Sequence, residues 1–165
     1  MVNKNVFLGL GSNIGDRGAN LEMALSLLAG FGYIKIEKIS SFYETAPIGP
    51  DQRNFYNAVI KCSTQLFPHC LLFVIKNIEQ VMGRKKTIRW GSRIIDIDIL
   101  FFGNESLVSP NLTIAHKEIG NRLFVLIPLS EIAPRFKFPS TGCTIESYLK
   151  QHSKALKSQK VSIVK

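Results

Sequence analysis

Residues 84–102 of the chain read RKKTIRWGSRIIDIDILFF and fall into two halves of opposite character. The first half carries five cations, one tryptophan and a glycine without apolar periodicity, which predicts a mobile basic loop. The second half alternates isoleucines with Asp96 and Asp98, and this period of two is typical of a strand with one buried face. Side chains two positions apart in a strand project from the same face, about 7 Å apart. Because two such carboxylates repel each other, we expect a cation near them, and Mg²⁺ that also contacts substrate phosphates would fit.

An aspartate pair of this spacing is a weak signal when it stands alone. The simplest alternative is a solvated strand edge that carries two surface acids beside a basic loop. Here the pair follows directly on the five cations of the loop. Acids suited to a metal next to cations suited to phosphate are a rarer combination, so the sequence favours a polyphosphate site.

The composition is that of an ordinary globular protein. With 165 residues, 45% of them hydrophobic and 20% charged, the chain suits a single domain, which we place at residues 1–149. The net charge of +9 favours an anionic partner without specifying which one. Residues 150–165 carry five lysines and no acid, and we interpret them as a basic tail with a solvated or frayed end rather than as a nucleic-acid arm.

The cysteine pattern and the hydropathy predict where the protein works. The three cysteines, Cys62, Cys70 and Cys143, are odd in number and lack C-x-x-C spacing, which argues against a disulfide framework or a zinc site. The N-terminus does not have the pattern of a signal peptide, and no apolar run is as long as a membrane span. We therefore expect a cytoplasmic protein without a membrane as partner.

Periodicity along the chain predicts the order of its elements. A short apolar strand ends in GLGSNIGD at residues 9–16, and because this spacing fits neither the dinucleotide fingerprint nor a P-loop, we interpret it as a connection to a helix. The elements that follow are a helix capped by Asp16 or Asn20, a strand at 33–43, a loop at 45–54, a strand at 55–63, a helix from Pro68 to Gly83, and the aspartate strand. This order predicts an α+β fold, a ferredoxin-like βαββαβ sandwich with extra C-terminal strands or helices.

Several short motifs occur together in an order that resembles one known family. They are GLGSN at 9–13, FYET at 42–45, NA at 57–58, GR at 83–84, RWGSRIIDIDIL at 89–100, RLFVL at 122–126 after His116, and EIAP at 131–134. From about residue 6 to residue 145 the chain resembles the 6-hydroxymethyl-7,8-dihydropterin pyrophosphokinases of folate biosynthesis. The resemblance implies a Mg²⁺-dependent enzyme that transfers the pyrophosphoryl group of ATP, as one unit, to the hydroxymethyl oxygen of the pterin and releases AMP. It also implies a monomer whose partners are these small-molecule substrates and not a nucleic acid.

The same resemblance implies roles for individual residues. As catalytic groups, Asp96 and Asp98 would hold two Mg²⁺ ions, while Arg84 and Arg93 would stabilise charge on the transferred group. The ATP-binding residues that it implies are Glu79 (as a ribose contact), Arg84, Lys86, Arg89, Trp90, Arg93, Ile99, His116 and Arg122. The pterin-binding residues that it implies are Thr45, Ile48, Phe55, Asn57, Trp90, Asp96 and Phe124, with the two phenylalanines stacked on the pterin faces. Residues 83–93 would form a lid.

Taken singly, these residues have simpler interpretations. Phe55 and Phe124 would more often belong to the core, and Glu79 would be an acid on a helix surface. His116 would more often be a structural histidine, and Trp90 could pack against its neighbouring arginines as a cation–π partner. Their occurrence together and in order is what favours the site.

The chain departs from the family pattern at three positions. Phe55 stands where tyrosine is usual, Lys86 where a second lid arginine is common, and Ala115 where a proline often precedes the histidine. Lysine cannot make a bidentate phosphate contact, so the change at Lys86 bears on phosphate affinity and on the lid. None of the three departures touches Asp96 or Asp98.

Three other functions share part of the pattern. An RNA-binding module would share the element order and the positive charge, but it should carry an aromatic RNP-type strand, which the sequence lacks. A regulatory domain that binds polyphosphate without catalysis would not need paired carboxylates. A different D-x-D nucleotidyl or glycosyl transferase remains closest, and the two candidate stacking phenylalanines disfavour it.

Overall fold

The structure is a computed structural model that describes residues 3–85, 90–116, 118–156 and 158–164. Its strands are β1 (Lys4–Ser12), β2 (Ile34–Ile39), β3 (Tyr43–Thr45), β4 (Phe55–Thr64), β5 (Asp96–Phe102), β6 (Leu107–Ser109), β7 (Leu112–Ile114) and β8 (Val161–Ile163). Its α-helices are α1 (Arg17–Gly30), α2 (Pro68–Val81), α3 (Leu123–Ile132) and α4 (Ile145–His152), and a short 3₁₀ helix, Ile119–Asn121, precedes α3. Residues 86–89, in the predicted basic loop, lie outside the described residues.

One antiparallel sheet organises the molecule. Its strands lie in the order β5-β1-β4-β3-β8, and β2 pairs with β4 next to β3. Together with α1 and α2 this gives the βαββαβ order of a ferredoxin-like α+β sandwich, which confirms the prediction. The predicted single strand at 33–43 is two strands, β2 and β3, separated by residues 40–42, where the Ser40 hydroxyl accepts a hydrogen bond from the Val59 amide.

Both faces of the sheet are buried, each in a separate core. On β1, Val6 and Leu8 face α1 and α2, whereas Phe7 faces α3 and α4. On β5, Ile97 and Ile99 belong to the first core, so the two aspartates of that strand point to the second face. The second core does not cover this end of β5, and the candidate site lies there.

The two helices of the sandwich begin as the sequence predicts. Asp16 caps α1, where its carboxylate accepts a hydrogen bond from the Ala19 amide at 3.0 Å. Pro68 is the first residue of α2, and Gly83 takes a left-handed conformation (φ 85°) just after its end. Among the described residues, no helix is long and apolar enough to cross a membrane.

The C-terminal segment is ordered against the sheet. α4 continues past residue 149 to His152, and β8 pairs with β3 in a register that sets Val161 opposite Thr45. The Gln159 side chain accepts a hydrogen bond from the Leu123 amide (2.9 Å) at the start of α3 and donates one to the Asn121 carbonyl (2.8 Å). The prediction of a frayed end is therefore wrong for residues 159–163, whereas the prediction of a solvated end agrees with the exposure of Lys160, Ser162 and Ile163. The division at residue 149 stays a prediction.

Candidate active site

Two arginines bind Asp96 on the open face of β5. Its two carboxylate oxygens lie 2.6 Å from Arg84 Nη1 and 2.5 Å from Arg93 Nη1. Burial alone would raise the pKa of Asp96, but Arg93 and Arg84 outweigh burial and lower it. Its negative charge is therefore already compensated by the protein.

Asp98, two residues further along the same face, is in the opposite electrostatic state. Burial, and after it the negative charge of Asp96, raise the pKa of its carboxyl group above the ordinary range. His116, Lys76 and Arg122 offset only part of this effect. A cation that arrives at the pair would consequently gain most by binding near Asp98.

Glu79 connects α2, β5 and the start of the basic loop from beneath the site. Only 2% of the residue is exposed. Its Oε1 accepts hydrogen bonds from the Ile97 amide at 2.8 Å and from Arg84, and its Oε2 lies 2.8 Å from Lys76 Nζ. Glu79 is not among the described residues that line either of the two cavities, which are presented next. These three partners leave one of the roughly four acceptor sites of the carboxylate, on Oε2, for a ribose contact, which would also need access to this buried side chain.

A cavity of about 120 Å³, here called the aromatic cavity, opens on the second face of the sheet. Its walls include every residue that the sequence analysis assigns to the pterin: Thr45, Ile48, Phe55, Asn57, Trp90, Asp96 and Phe124. The Asn57 amide donates a hydrogen bond to the Thr45 hydroxyl at 2.8 Å, which fixes the orientation of its side chain. A Cβ atom at Gly11 would lie 3.0 Å from Asn57 Oδ1, so glycine leaves the space that Asn57 needs.

A larger cavity of about 640 Å³, here called the polar cavity, lies beside β5 and α2. Four of the predicted ATP-binding residues line it, namely Trp90, Ile99, His116 and Arg122. Its wall also contains residues that the sequence analysis did not assign, including Leu72 and Lys76 of α2 and Asn111 in the β6–β7 turn. The regular spacing of Leu72 and Lys76, four residues apart on one helix face, was the only signal in the sequence that could have revealed them.

Apart from Glu79, described above, the other predicted ATP-binding residues divide into two groups. Arg84 and Arg93 meet at Asp96, and Arg93 lines the aromatic cavity. Lys86 and Arg89 lie outside the described residues, so their proposed contacts stay predictions.

The two cavities adjoin and share part of their walls. Ile48, Trp90, Asp98 and Arg122 line both. A molecule in one cavity and a molecule in the other would therefore meet beside Asp98. This arrangement suits the transfer of a group between two bound substrates.

A hydrogen-bonded cluster that the sequence analysis missed holds the loops around the aromatic cavity. The side-chain amide of Asn13 donates a hydrogen bond to Gln52 Oε1 (3.0 Å), and its Oδ1 accepts one from the backbone amide of Arg93 (2.7 Å). Gln52 accepts a hydrogen bond from the Ser92 hydroxyl at 2.9 Å and donates one to the Trp90 carbonyl at 2.7 Å. The loop before β4 and the segment before β5 are thereby tied to each other.

The donor set fits Mg²⁺ that shares its coordination with phosphate. Among the residues that the structure describes, there is no group of three or more His, Cys, Asp or Glu side chains that could hold a metal alone. Mg²⁺ in phosphoryl-transfer sites commonly uses one or two carboxylates and completes its shell with water and substrate phosphates. Asp96 and Asp98 are such a pair.

Comparison with known proteins identifies the family. The family model described as 7,8-dihydro-6-hydroxymethylpterin-pyrophosphokinase (HPPK) matches residues 7–134. The 2-amino-4-hydroxy-6-hydroxymethyldihydropteridine pyrophosphokinase of Bacillus subtilis is 40% identical over 142 residues, which cover 86% of this chain and 85% of that protein. The enzyme of the same name from Haemophilus influenzae is 40% identical over 141 residues, which cover 85% of this chain and 88% of that protein.

Some relatives are much longer than this chain. The bifunctional protein FolKE of Lactococcus lactis subsp. cremoris is 45% identical over 130 residues, which are 78% of this chain but 37% of that protein. A solved HPPK-DHPS structure from Plasmodium falciparum superimposes with a TM-score of 0.77 at 20% identity, over 94% of this chain and 44% of that one, and shows the same fold. The chain belongs to the 7,8-dihydro-6-hydroxymethylpterin-pyrophosphokinase family, the folate-biosynthesis enzymes that transfer pyrophosphate from ATP to hydroxymethyldihydropterin.

Proposed function

We propose that this chain transfers the pyrophosphoryl group of ATP, as one unit, to the hydroxymethyl oxygen of 6-hydroxymethyl-7,8-dihydropterin and releases AMP. The observation that carries the proposal is the meeting of the aromatic and polar cavities at Asp98 and Arg122. In the reaction, the pterin hydroxyl loses its proton and its oxygen bonds to the β-phosphorus. The bond between that phosphorus and the bridging oxygen of the α-phosphate breaks, and AMP keeps the electron pair.

The aromatic cavity would hold the pterin. Phe55 and Phe124 offer two aromatic rings for a flat heterocycle, as stacking requires. Asn57 presents both a donor and an acceptor that can read the polar edge of the pterin. Thr45 orients Asn57, and Ile48 and Trp90 complete the wall next to the polar cavity.

The polar cavity would hold ATP, with the phosphates directed toward β5. Arg122 and His116 supply polar groups near Asp98, while Ile99 supplies an apolar surface. Residues 83–93 would close over the bound nucleotide as a lid. Lys86 and Arg89 would contribute from this segment.

Arg84 and Arg93 would exchange partners when the nucleotide binds. Both now neutralise Asp96, and phosphate oxygens compete for the same guanidinium groups. As the arginines turn toward phosphate, the carboxylate of Asp96 becomes available to another cation. The two arginines would then stabilise charge that develops on the transferred group.

Asp96 and Asp98 would hold Mg²⁺, and we propose two ions. Mg²⁺ held there would supply positive charge that offsets the charge of the phosphates and favours ionisation of the attacking hydroxyl group. The protein contributes two carboxylates with fixed spacing on a rigid strand. The raised pKa of Asp98 is consistent with a group that gains from a nearby cation.

The remaining expectations concern the state of the protein. We propose that it acts as a monomer in the cytoplasm. Cys62, Cys70 and Cys143 are free thiols, which fits a reducing compartment.

A product assay tests the proposed function. The protein is incubated with ATP, Mg²⁺ and the reduced pterin, and the nucleotide product is identified by chromatography. We expect AMP, and ADP instead of AMP would refute pyrophosphoryl transfer. Asp96→Asn and Asp98→Asn should each lower turnover by orders of magnitude while the fold survives, since the carboxylates project from the open face of β5. Near-normal turnover of both variants with an ordinary Mg²⁺ requirement would rule out these residues as the metal ligands.

A further inference from the structure

Lys76 occupies a distinctive position on α2. Its ammonium group lies 2.8 Å from Glu79 Oε2, three residues further along the helix. Glu79 is almost completely buried, yet half of the Lys76 side chain (50%) is exposed. The acidic member of this ion pair is therefore buried, whereas the basic member is accessible to a ligand.

The open side of Lys76 faces the polar cavity. Lys76 lines this cavity together with Leu72, Asp98, His116 and Arg122. Lys76 is not among the described residues that line the aromatic cavity. It also lies near enough to Asp96 and Asp98 to interact electrostatically with both.

Lys76 differs from the other cations of the site in its support. Arg84 and Arg93 belong to the segment between α2 and β5, and both are paired with Asp96, although Arg84 also shares Glu79 with Lys76. Lys76 is part of a regular helix, and its acidic partner also accepts the Ile97 amide of β5. Its position is thus fixed by α2 and β5 and does not depend on closure of a lid.

We propose that Lys76 is a nucleotide-contacting residue whose ammonium group donates a hydrogen bond to a phosphate oxygen of ATP. The proposal rests on the proposed function and deepens it, because it adds a cation that is in place before the basic loop closes. An anion in the polar cavity would be attracted by both Lys76 and Arg122, which line it. Glu79 acts here as a positioning residue, since it holds Lys76 from the buried side.

An ordinary helical ion pair is the competing interpretation of Lys76. Lys150 provides a matched control on α4, because its ammonium group lies 2.8 Å from Glu146 with a spacing of four residues. Both members of that pair are exposed, 76% and 52%, and neither is among the described residues that line the two cavities. A role in the helix alone would make the two lysines behave alike toward the nucleotide.

Calorimetric titration with α,β-methylene-ATP and Mg²⁺ tests the proposal on the full chain. Lys76→Gln should weaken binding of the analogue about tenfold, the lower end of the range for a hydrogen bond to a charged group. Lys76→Arg should bind within about threefold of the unmodified protein, because it keeps the charge and a donor. Lys150→Gln should bind as the unmodified protein does. The salt dependence of binding should be weaker in Lys76→Gln alone, since one charge contact is lost.

The outcomes separate failure of this inference from failure of the proposed function. If the unmodified protein does not bind the analogue, both are overturned. If it binds and Lys76→Gln binds equally well, only the role of Lys76 is overturned. An equal loss in Lys76→Gln and Lys76→Arg, together with lower melting temperatures and unchanged salt dependence, would indicate a structural role and would also overturn the inference.

Discussion

Glu79→Gln separates a structural carboxylate from a ribose contact. The substitution keeps the size of the side chain and an oxygen that can accept the Ile97 amide. It removes the negative charge that lies between Arg84 and Lys76. We expect the variant to fold but to be less stable, because two cations lose their buried counter-charge.

The expected loss of stability depends on how exposed each cation is to solvent. A hydrogen bond to a charged group contributes about 1.5–3 kcal/mol, and an exposed ion pair contributes less than about 1 kcal/mol. Arg84, with 26% of its side chain exposed, falls near the lower end of the first range, and Lys76, with 50% exposed, falls in the second. Relief from burying a carboxylate offsets part of the sum, so we expect a loss of about 2 kcal/mol. For a domain of this size that corresponds to a fall in melting temperature of about 4–8 °C.

Two measurements on the same variant decide between the roles. Urea unfolding gives the loss of stability, and titration with non-hydrolysable ATP and its 2′-deoxy and 3′-deoxy forms gives the discrimination for each ribose hydroxyl. A structural Glu79 predicts lower stability with unchanged discrimination, even if overall affinity falls because Arg84 is less well placed. Unchanged stability, or loss of discrimination at either hydroxyl in the variant, would refute the structural role.

Three further predictions concern the walls of the aromatic cavity and its supports. If Phe55 stacks on the pterin, Phe55→Tyr should be nearly neutral and Phe55→Ala should weaken pterin binding by roughly 1–3 kcal/mol; a large fall in melting temperature with unchanged pterin affinity would instead make it a core residue. Burial, and then the hydrogen bond to Glu131, raise the pKa of Tyr43 to about 12. As the pH rises, Tyr43 therefore ionises in the unfolded chain before it ionises in the folded protein. Its contribution to stability should be present below pH 10 and disappear between pH 10 and 12. The difference in stability between the unmodified protein and Tyr43→Phe should shrink over that window, and a constant difference would contradict this. Gln159→Ala should cost about 1–2 kcal/mol of stability and weaken pterin binding, because it releases the start of α3. The control variant Gln151→Ala, on the exposed side of α4, should change neither property. Equal behaviour of the two variants would refute the role of the C-terminal segment.

The sequence predicts the structure correctly where an element is determined by residues that are neighbours in the chain. The alternation through Asp96 and Asp98 predicts a strand with one buried face, and the first half of β5 has that form, whereas residues 99–102 are buried on both faces. Pro68 marks a helix start through its fixed backbone geometry and Asp16 through its side-chain cap, and both predictions are confirmed. The family resemblance is confirmed as well, because its motifs are spread over nearly the whole chain.

Long-range pairing was not visible in the sequence. β8 is short and basic at its flanks, and nothing local indicates that it adds to the sheet beside β3. Glu79 has the sequence context of a helix-surface acid, and only the approach of β5 buries it. α3 is almost uniformly apolar and contains Pro128, so it has no helical period to detect. In each case the deciding partner is distant in the chain.

The position of β5 in the sheet explains why two substrates can meet there. β5 is an edge strand next to β1, so one of its faces continues the sheet surface that carries Asn57 and Phe55. Its free edge lies beside α2 and forms the wall of the polar cavity. A central strand would have a neighbour on both sides and could offer only its faces. Asp98 lies on this edge strand and lines both cavities, so the ferredoxin-like strand order is what brings the two cavities together at one carboxylate.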